Sequence, residues 1–176
     1  MATPETSLET LDERNIVITG FMGAGKTTIG RELGLLLERR FVDSDDVIVA
    51  RAEATIPQIF ARDGEAGFRA LEKEVCRDLA AEKGLVIATG GGMLIDPENR
   101  ALMLASGLVV CLDATVETIR RRLSGAKNRP LAADWETLFE KRREAYAAIP
   151  LHVDVTNKTP RKIAQEIIAL WRSESQ

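Results

Sequence analysis

Apolar residues in this chain fall into short uninterrupted runs, separated by stretches in which they recur at helical spacing. Ile16-Val17-Ile18, Phe41-Val42, Leu85-Val86-Ile87-Ala88, Leu108-Val109-Val110-Cys111-Leu112 and Val153-Asp154-Val155 read as strands. The third and fourth runs lack polar alternation, which suits strands covered on both faces. Between the strands, Ile29, Leu33, Leu36 and Leu37 recur at i, i+4, i+7 and i+8 and predict a helix with one buried stripe. Asp45 to Ala54 is helix-like, and Ile56-Pro57 to Arg62 reads as a second short helix with proline in its first turn. Glu65 to Lys83 predicts a long helix with Phe68, Leu71, Val75 and Leu79 facing in, Arg69 and Glu72 off that stripe, and Gly84 placed to stop it.

Further on, Asp96-Pro97-Glu98 has cap, first-turn proline and acid in helix-opening order, leads to Leu102-Met103-Leu104, and Gly107 closes the segment. Thr115 to Leu123 is helical with Val116, Ile119 and Leu123 on one side, and Trp135 to Ala148 resumes helix. Pro160 opens a last helix with Ile163, Ile167, Leu170 and Trp171 facing in. Five short strands alternating with helices predict an α/β fold: a single-domain three-layer sandwich, with an open five-stranded parallel sheet flanked by helices and joined by right-handed crossovers. Loops at the strand C-termini then share one edge, where such sheets bind ligands. That edge gathers Gly20 to Thr28, Asp43 to Asp46 and Gly90 to Gly92.

Size and composition narrow the picture. A chain of 176 residues fits one domain, expected over 15–172, with a flexible tail over 1–14 and a short C-terminal tail over 173–176. At 45% hydrophobic and 29% charged residues the composition is that of an ordinary globular protein. The net charge of −3 argues against a general nucleic-acid surface but permits a local basic cleft. Cys76 and Cys111 lack C-x-x-C spacing and are expected as buried free thiols. The opening residues lack the apolar core of a secretory signal, and no apolar run approaches spanning length, so a cytoplasmic protein with no membrane partner is expected; a monomer is expected as well.

The chemistry starts at Gly20-Phe21-Met22-Gly23-Ala24-Gly25-Lys26-Thr27, which fills every fixed position of the phosphate-loop pattern G-x-x-x-x-G-K-[ST] between a strand and a helix. There, glycines turn backbone N–H groups towards a phosphate and the helix N-terminus adds partial positive charge. Lys26 can reach the β/γ-phosphates of ATP, and Thr27 can ligate Mg²⁺. Asp43, at a strand end, is placed to hold Mg²⁺ through water, and Asp45 to accept a hydrogen bond from a substrate hydroxyl. The alternative for this acidic run is a helix cap served by Ser44 or Asp45, and Asp46 reads as solvated. Gly90-Gly91-Gly92 either forms a loose turn or lets a ligand approach the main chain.

Taken alone, Arg69 and Arg142 read as surface residues, Arg69 paired with Glu72 at i+3 and Arg142 on the basic face of Lys141-Arg142-Arg143. Arg129, in the Gly-containing loop between two helices, is like the arginine of a mobile lid, here about 124–134. Arg120-Arg121-Arg122 can serve the helix dipole, or one of them can stack on adenine. The only histidine, His152, reads as structural or exposed, since one histidine cannot build a metal site.

Together these blocks resemble the shikimate kinase family over Asn15 to Trp171. The resemblance rests on the Gly20 to Thr28 loop, Asp43-Ser44-Asp45, Gly67-Phe68-Arg69 with Glu72, Ala88-Thr89-Gly90-Gly91-Gly92 and Arg129-Pro130-Leu131, in the family's order. It implies a fold like that of the nucleoside monophosphate kinases and ATP- and Mg²⁺-dependent phosphorylation of shikimate at its 3-hydroxyl. It further implies that Lys26, Asp45 and Arg129 are catalytic and that Gly23, Ala24, Gly25, Lys26, Thr27 and Thr28 cradle ATP. Arg122, Lys158 and Thr159 would lie near adenine, with Arg129 over the phosphates. Asp45, Arg69, Gly90, Gly91, Gly92 and Arg142 would hold shikimate within helices about 44–83 and beyond, with Thr27 and Asp43 on the metal. The chain departs from the family's R-P-L-L at Ala132, and from x-P-L-Y after Arg142, where it reads Arg143-Glu144-Ala145-Tyr146, so Arg143 competes for the carboxylate role. Gluconate kinase, another small-acid kinase, or an inactive nucleotide-binding regulator on the same fold are the alternatives.

Overall fold

The apolar runs meet in one five-stranded sheet of order β2-β3-β1-β4-β5. The computed structural model describes residues 12–125 and 134–175. Strand β1 (Asn15–Gly20) is central, between β3 (Val86–Ala88) and β4 (Gly107–Asp113), with β2 (Phe41–Asp43) and β5 (Leu151–Asp154) at the edges. Every pairing is parallel, as expected for strands joined by helical crossovers.

Burial on both faces explains the unbroken apolar runs. Ile16, Ile18, Val86, Leu108, Val110 and Leu112 pack under α1 (Lys26–Leu37) and α7 (Pro160–Ser173). Their neighbours Val17, Ile87, Val109 and Cys111 point the other way. There they meet α2 (Ser44–Ala52), α3 (Ile56–Ala81), α4 (Pro97–Ser106), α5 (Val116–Ser124) and α6 (Trp135–Ala147). Burying one such Ile or Val is worth about 1.5–3 kcal/mol. Cys76 and Cys111 are free and buried, and burial pushes both thiols up to about 12.

Two expected helices share α3, and Gly64 at φ 70° is the bend between them, a backbone conformation that a side chain would strain. Thr55 and Gln58 form a reciprocal capping box at its start. Its buried face is wider than the apolar stripe predicts: Leu71 is half-buried, whereas Glu72, expected off the stripe, is only 2% exposed. The reason is that α3 packs against both α2 and α4, so positions flanking the stripe are covered too. Val116, expected to face inward, is exposed at the first turn of α5, where Thr115 is the cap.

Strand β5 begins two residues earlier than its apolar run. Leu151 and Val153 pair with Val110 and Leu112, while Val155 lies past the strand and donates its N–H to the Asp113 carbonyl at 2.9 Å. A single 3₁₀ turn, Met93–Ile95, follows the triple glycine and has no counterpart in the apolar pattern. Within the expected N-terminal tail, Asp12 pairs with Arg14 at 2.6 Å, and both bond to Ser175 beyond the end of α7. Arg14 holds the Asp12 carboxyl well below its ordinary range.

Candidate functional site

The C-terminal ends of β1, β2 and β3 open into a single cleft of about 700 Å³. The phosphate loop forms one wall. Gly23 and Gly25 take φ of 80° and 97°, the left-handed conformations that turn backbone N–H groups the same way. Lys26 Nζ donates to the carbonyls of Gly20 and Phe21 at 2.8 and 3.0 Å, which spans its own loop. Arg122, from α5, donates to the Gly23 carbonyl at 2.7 Å and so brings a second cation to the loop.

The next wall is acidic. Asp43 ends β2 and is itself the cap of α2, accepting from the Asp45 N–H at 3.0 Å, so the cap lies one residue before Ser44 and two before Asp45. Its second oxygen accepts from the Thr27 hydroxyl at 2.8 Å. A hydroxyl and a carboxylate side by side form an oxygen-only donor pair of the type Mg²⁺ takes, so these residues fit that ion. Ser44 braces the site instead, since its Oγ accepts from the Gly90 N–H at 2.8 Å and ties the α2 start to the triple glycine. Asp45 lies against that turn, where a Cβ on Gly90 would sit 2.5 Å from Asp45 Oδ1. Burial, then the Asp43 charge, raises the Asp45 pKa above its ordinary value, with Lys26 and Arg69 opposing.

Opposite stands a guanidinium pair. Arg69 donates to Glu72 at 2.8 Å, and because Glu72 is buried this i+3 pair anchors Arg69 from beneath instead of decorating a surface. Burial raises the Glu72 pKa, with the Arg69 hydrogen bond as the main opposing effect. Arg142 lies over the Phe21 ring, 5.9 Å from its centroid. Added Cβ atoms on Gly91 and Gly92 would come within 2.9 Å of Arg142 and 2.5 Å of Arg69, so the missing side chains are what make room for both guanidiniums. Arg143 does not share this place: it is exposed, pairs with Glu140 at 3.5 Å and lines a different cavity, whereas Arg142 lines the cleft.

Lys158, Pro160 and Ile163 line the far end of the cleft together with Thr28 and Arg122. Lys158 pairs with Glu166 at 2.9 Å. Thr159 caps α7, its hydroxyl accepting from the Lys162 N–H, and it is not among the residues lining the cleft. Arg129 and the rest of the expected lid over 126–133 lie outside the described residues.

The contacts of Tyr146 with the triple glycine, of Ser44 with Gly90 and of Phe21 with Arg142 have no counterpart in the sequence pattern. Tyr146 donates its hydroxyl to the Gly91 carbonyl at 2.5 Å, and burial pushes its phenol up to about 12, so it stays a donor. Its one sequence signal was its place four residues after Arg142, one helical turn along the same face.

Comparison with known proteins places this geometry. The family model described as shikimate kinase matches residues 22–172. The chain is similar to a shikimate kinase of Geobacter sulfurreducens, 44% identical over 92% of each chain. Its fold is similar to a solved shikimate kinase from Acinetobacter baumannii in complex with shikimate, with a TM-score of 0.85, 39% identity, and coverage of 92% of this chain and 94% of that one. A gluconokinase from Sinorhizobium meliloti shares the fold alone, with a TM-score of 0.60 at 14% identity over 93% of this chain and 97% of that one.

Proposed function

The chain belongs to the shikimate kinase family, and from that premise we propose that it transfers the γ-phosphoryl group of ATP to the 3-hydroxyl of shikimate. The bond formed joins the shikimate 3-oxygen to phosphorus, the bond broken is that to the β-phosphate bridging oxygen, and the hydroxyl proton is released. The observation that carries this reading is that Asp45, Arg69 and Arg142 line the same cleft as the phosphate loop.

Phosphoryl transfer asks little covalent chemistry of a protein; it asks for alignment and for neutralisation of developing charge. The phosphate-loop N–H groups and Lys26 bind the ATP phosphates, and Arg122 adds positive charge beside Gly23. Thr28 and Lys158 line the nucleotide end, and Ala24 packs against the core beneath it. Thr27 and Asp43 are the residues that would hold Mg²⁺, which would screen the phosphate charge there. Arg69 and Arg142 hold the shikimate carboxylate by charge-assisted hydrogen bonds beside Gly90, Gly91 and Gly92. Asp45 accepts from the reacting hydroxyl; its raised pKa makes it a better proton acceptor than an exposed aspartate, though orientation is its larger role.

The protein acts as a monomer on small molecules, in the cytoplasm, without nucleic acid or membrane. The net charge of −3 argues against a general nucleic-acid surface, and among the described residues no helix is long and apolar enough to cross a membrane. A coupled ADP-release assay against shikimate, gluconate and nucleoside monophosphates tests the reading. Release that depends on shikimate is expected; release driven by gluconate, or none with any acceptor, overturns it.

A further inference from the structure

A second cavity, of about 270 Å³, lies at the C-terminal ends of β4 and β5, lined among others by Phe21, Cys111, Asp113, Tyr146 and His152. The strand register pairs Cys111 with His152, and alternation puts Asp113 on the same face as Cys111. One ligand atom from each of Cys111, Asp113 and His152 lies within 4.8 Å of the others, although 39 residues separate Asp113 from His152 in sequence. A lone histidine gives no hint of this; the pairing of two strands creates it.

The histidine's hydrogen bonds point to what the cluster is for. His152 Nδ1 lies 2.9 and 3.0 Å from the two Asp113 carboxylate oxygens, and Nε2 lies 2.8 Å from the Ile149 carbonyl oxygen. Both ring nitrogens therefore face acceptors, yet a neutral imidazole carries a single N–H. With that hydrogen on Nε2, donated to Ile149, the Nδ1 lone pair is aimed at a carboxylate, and either a second proton or a metal ion must join them. Histidine ligands of metals are held in this way, with the other nitrogen donating to a backbone carbonyl. We infer that Cys111 Sγ, an Asp113 carboxylate oxygen and His152 Nδ1 form a binding site for a zinc-class divalent cation, separate from the Thr27 and Asp43 position.

Sulfur, imidazole and carboxylate are the donors Zn²⁺ takes, whereas Mg²⁺ takes oxygen. Three protein ligands leave a fourth position for solvent, and the exposed edges of Asp113 and His152 give the ion access from outside. Coordination exchanges the Cys111 thiol proton for the metal and releases that proton to solvent. The ion would tie edge strand β5 to β4.

The test is Co²⁺ titration of the full chain in Mg²⁺-containing buffer without nucleotide. The expected result is one cobalt per chain with a thiolate-to-metal charge-transfer band and tetrahedral visible absorption, both bleached by Zn²⁺. Cys111→Ser should remove the charge-transfer band, Cys76→Ser should keep it, and His152→Ala should weaken Co²⁺ binding at least about tenfold. No thiolate band, a band that survives Cys111→Ser, or one lost in Cys76→Ser would overturn the site. If Cys111→Ser does not fold, His152→Ala decides alone, because unchanged Co²⁺ affinity there means that a proton, not a metal, joins His152 to Asp113.

Discussion

The two halves of the cleft are built in different ways. The proposed nucleotide half is mostly one contiguous loop, with Lys26 bonded to carbonyls of that loop. The acceptor half is assembled from α2, α3, α6 and the turn after β3, and each of its charged groups has a fixed neighbour: Asp45 beside Gly90 and Arg142 over Phe21 from other elements, Arg69 on buried Glu72 one turn along α3. A main-chain cradle meets phosphates common to every nucleoside triphosphate, whereas placed guanidiniums and a carboxylate can discriminate between acids. On the roles proposed above, substrate choice lies in the acceptor half, and single changes there should separate from changes in the loop.

The largest effect is expected in the loop. Lys26→Ala should lower kcat/KM by about 10³-fold or more and abolish tight ATP binding by calorimetry. ATP affinity that survives would break the assignment of the loop as the nucleotide half. Next comes Asp45→Asn, with kcat reduced about 10²–10³-fold and ATP binding unchanged; unaltered turnover at saturating shikimate would remove Asp45 from the chemistry. Arg69→Ala and Arg142→Ala should each raise the shikimate KM roughly 10–100-fold, the worth of a hydrogen bond to a charged group, with the ATP KM unmoved. An effect on ATP alone would erase the division into halves. The smallest change is Tyr146→Phe, which leaves the Gly91 carbonyl without its donor and costs about 1 kcal/mol, read as a rise in shikimate KM of about fivefold.

The raised pKa of Asp45 gives the comparison a pH dependence. The folded state holds this proton more tightly than the unfolded chain, so stability falls as pH rises from the ordinary aspartate value through the folded one, and the cost is complete above it. Asp45→Asn should therefore raise the melting temperature at neutral pH and lose that advantage in acid. The acid limb of kcat/KM for shikimate should lie above the ordinary aspartate range and disappear in the same variant.

These differences also explain what was legible in the sequence. Gly20 to Thr27 could be read because one loop carries its whole function in consecutive residues, and the buried runs of β3 and β4 because both faces are covered. Glu72 was misread because a periodic apolar stripe cannot report a buried carboxylate that a neighbouring arginine neutralises. Strand β5 was offset because an edge strand alternates, and His152 interrupts its apolar residues. Tyr146, Ser44 and the Cys111, Asp113 and His152 cluster depend on pairings between distant elements that no local spacing encodes.

The most direct test of the acceptor half compares shikimate with its methyl ester as substrates under saturating Mg-ATP. The ester keeps every hydroxyl but removes the charge that Arg69 and Arg142 are held to meet. We expect kcat/KM for the ester to fall at least about 10²-fold, with most of that penalty gone in Arg142→Ala. Equal turnover of acid and ester by the unaltered protein would contradict the account.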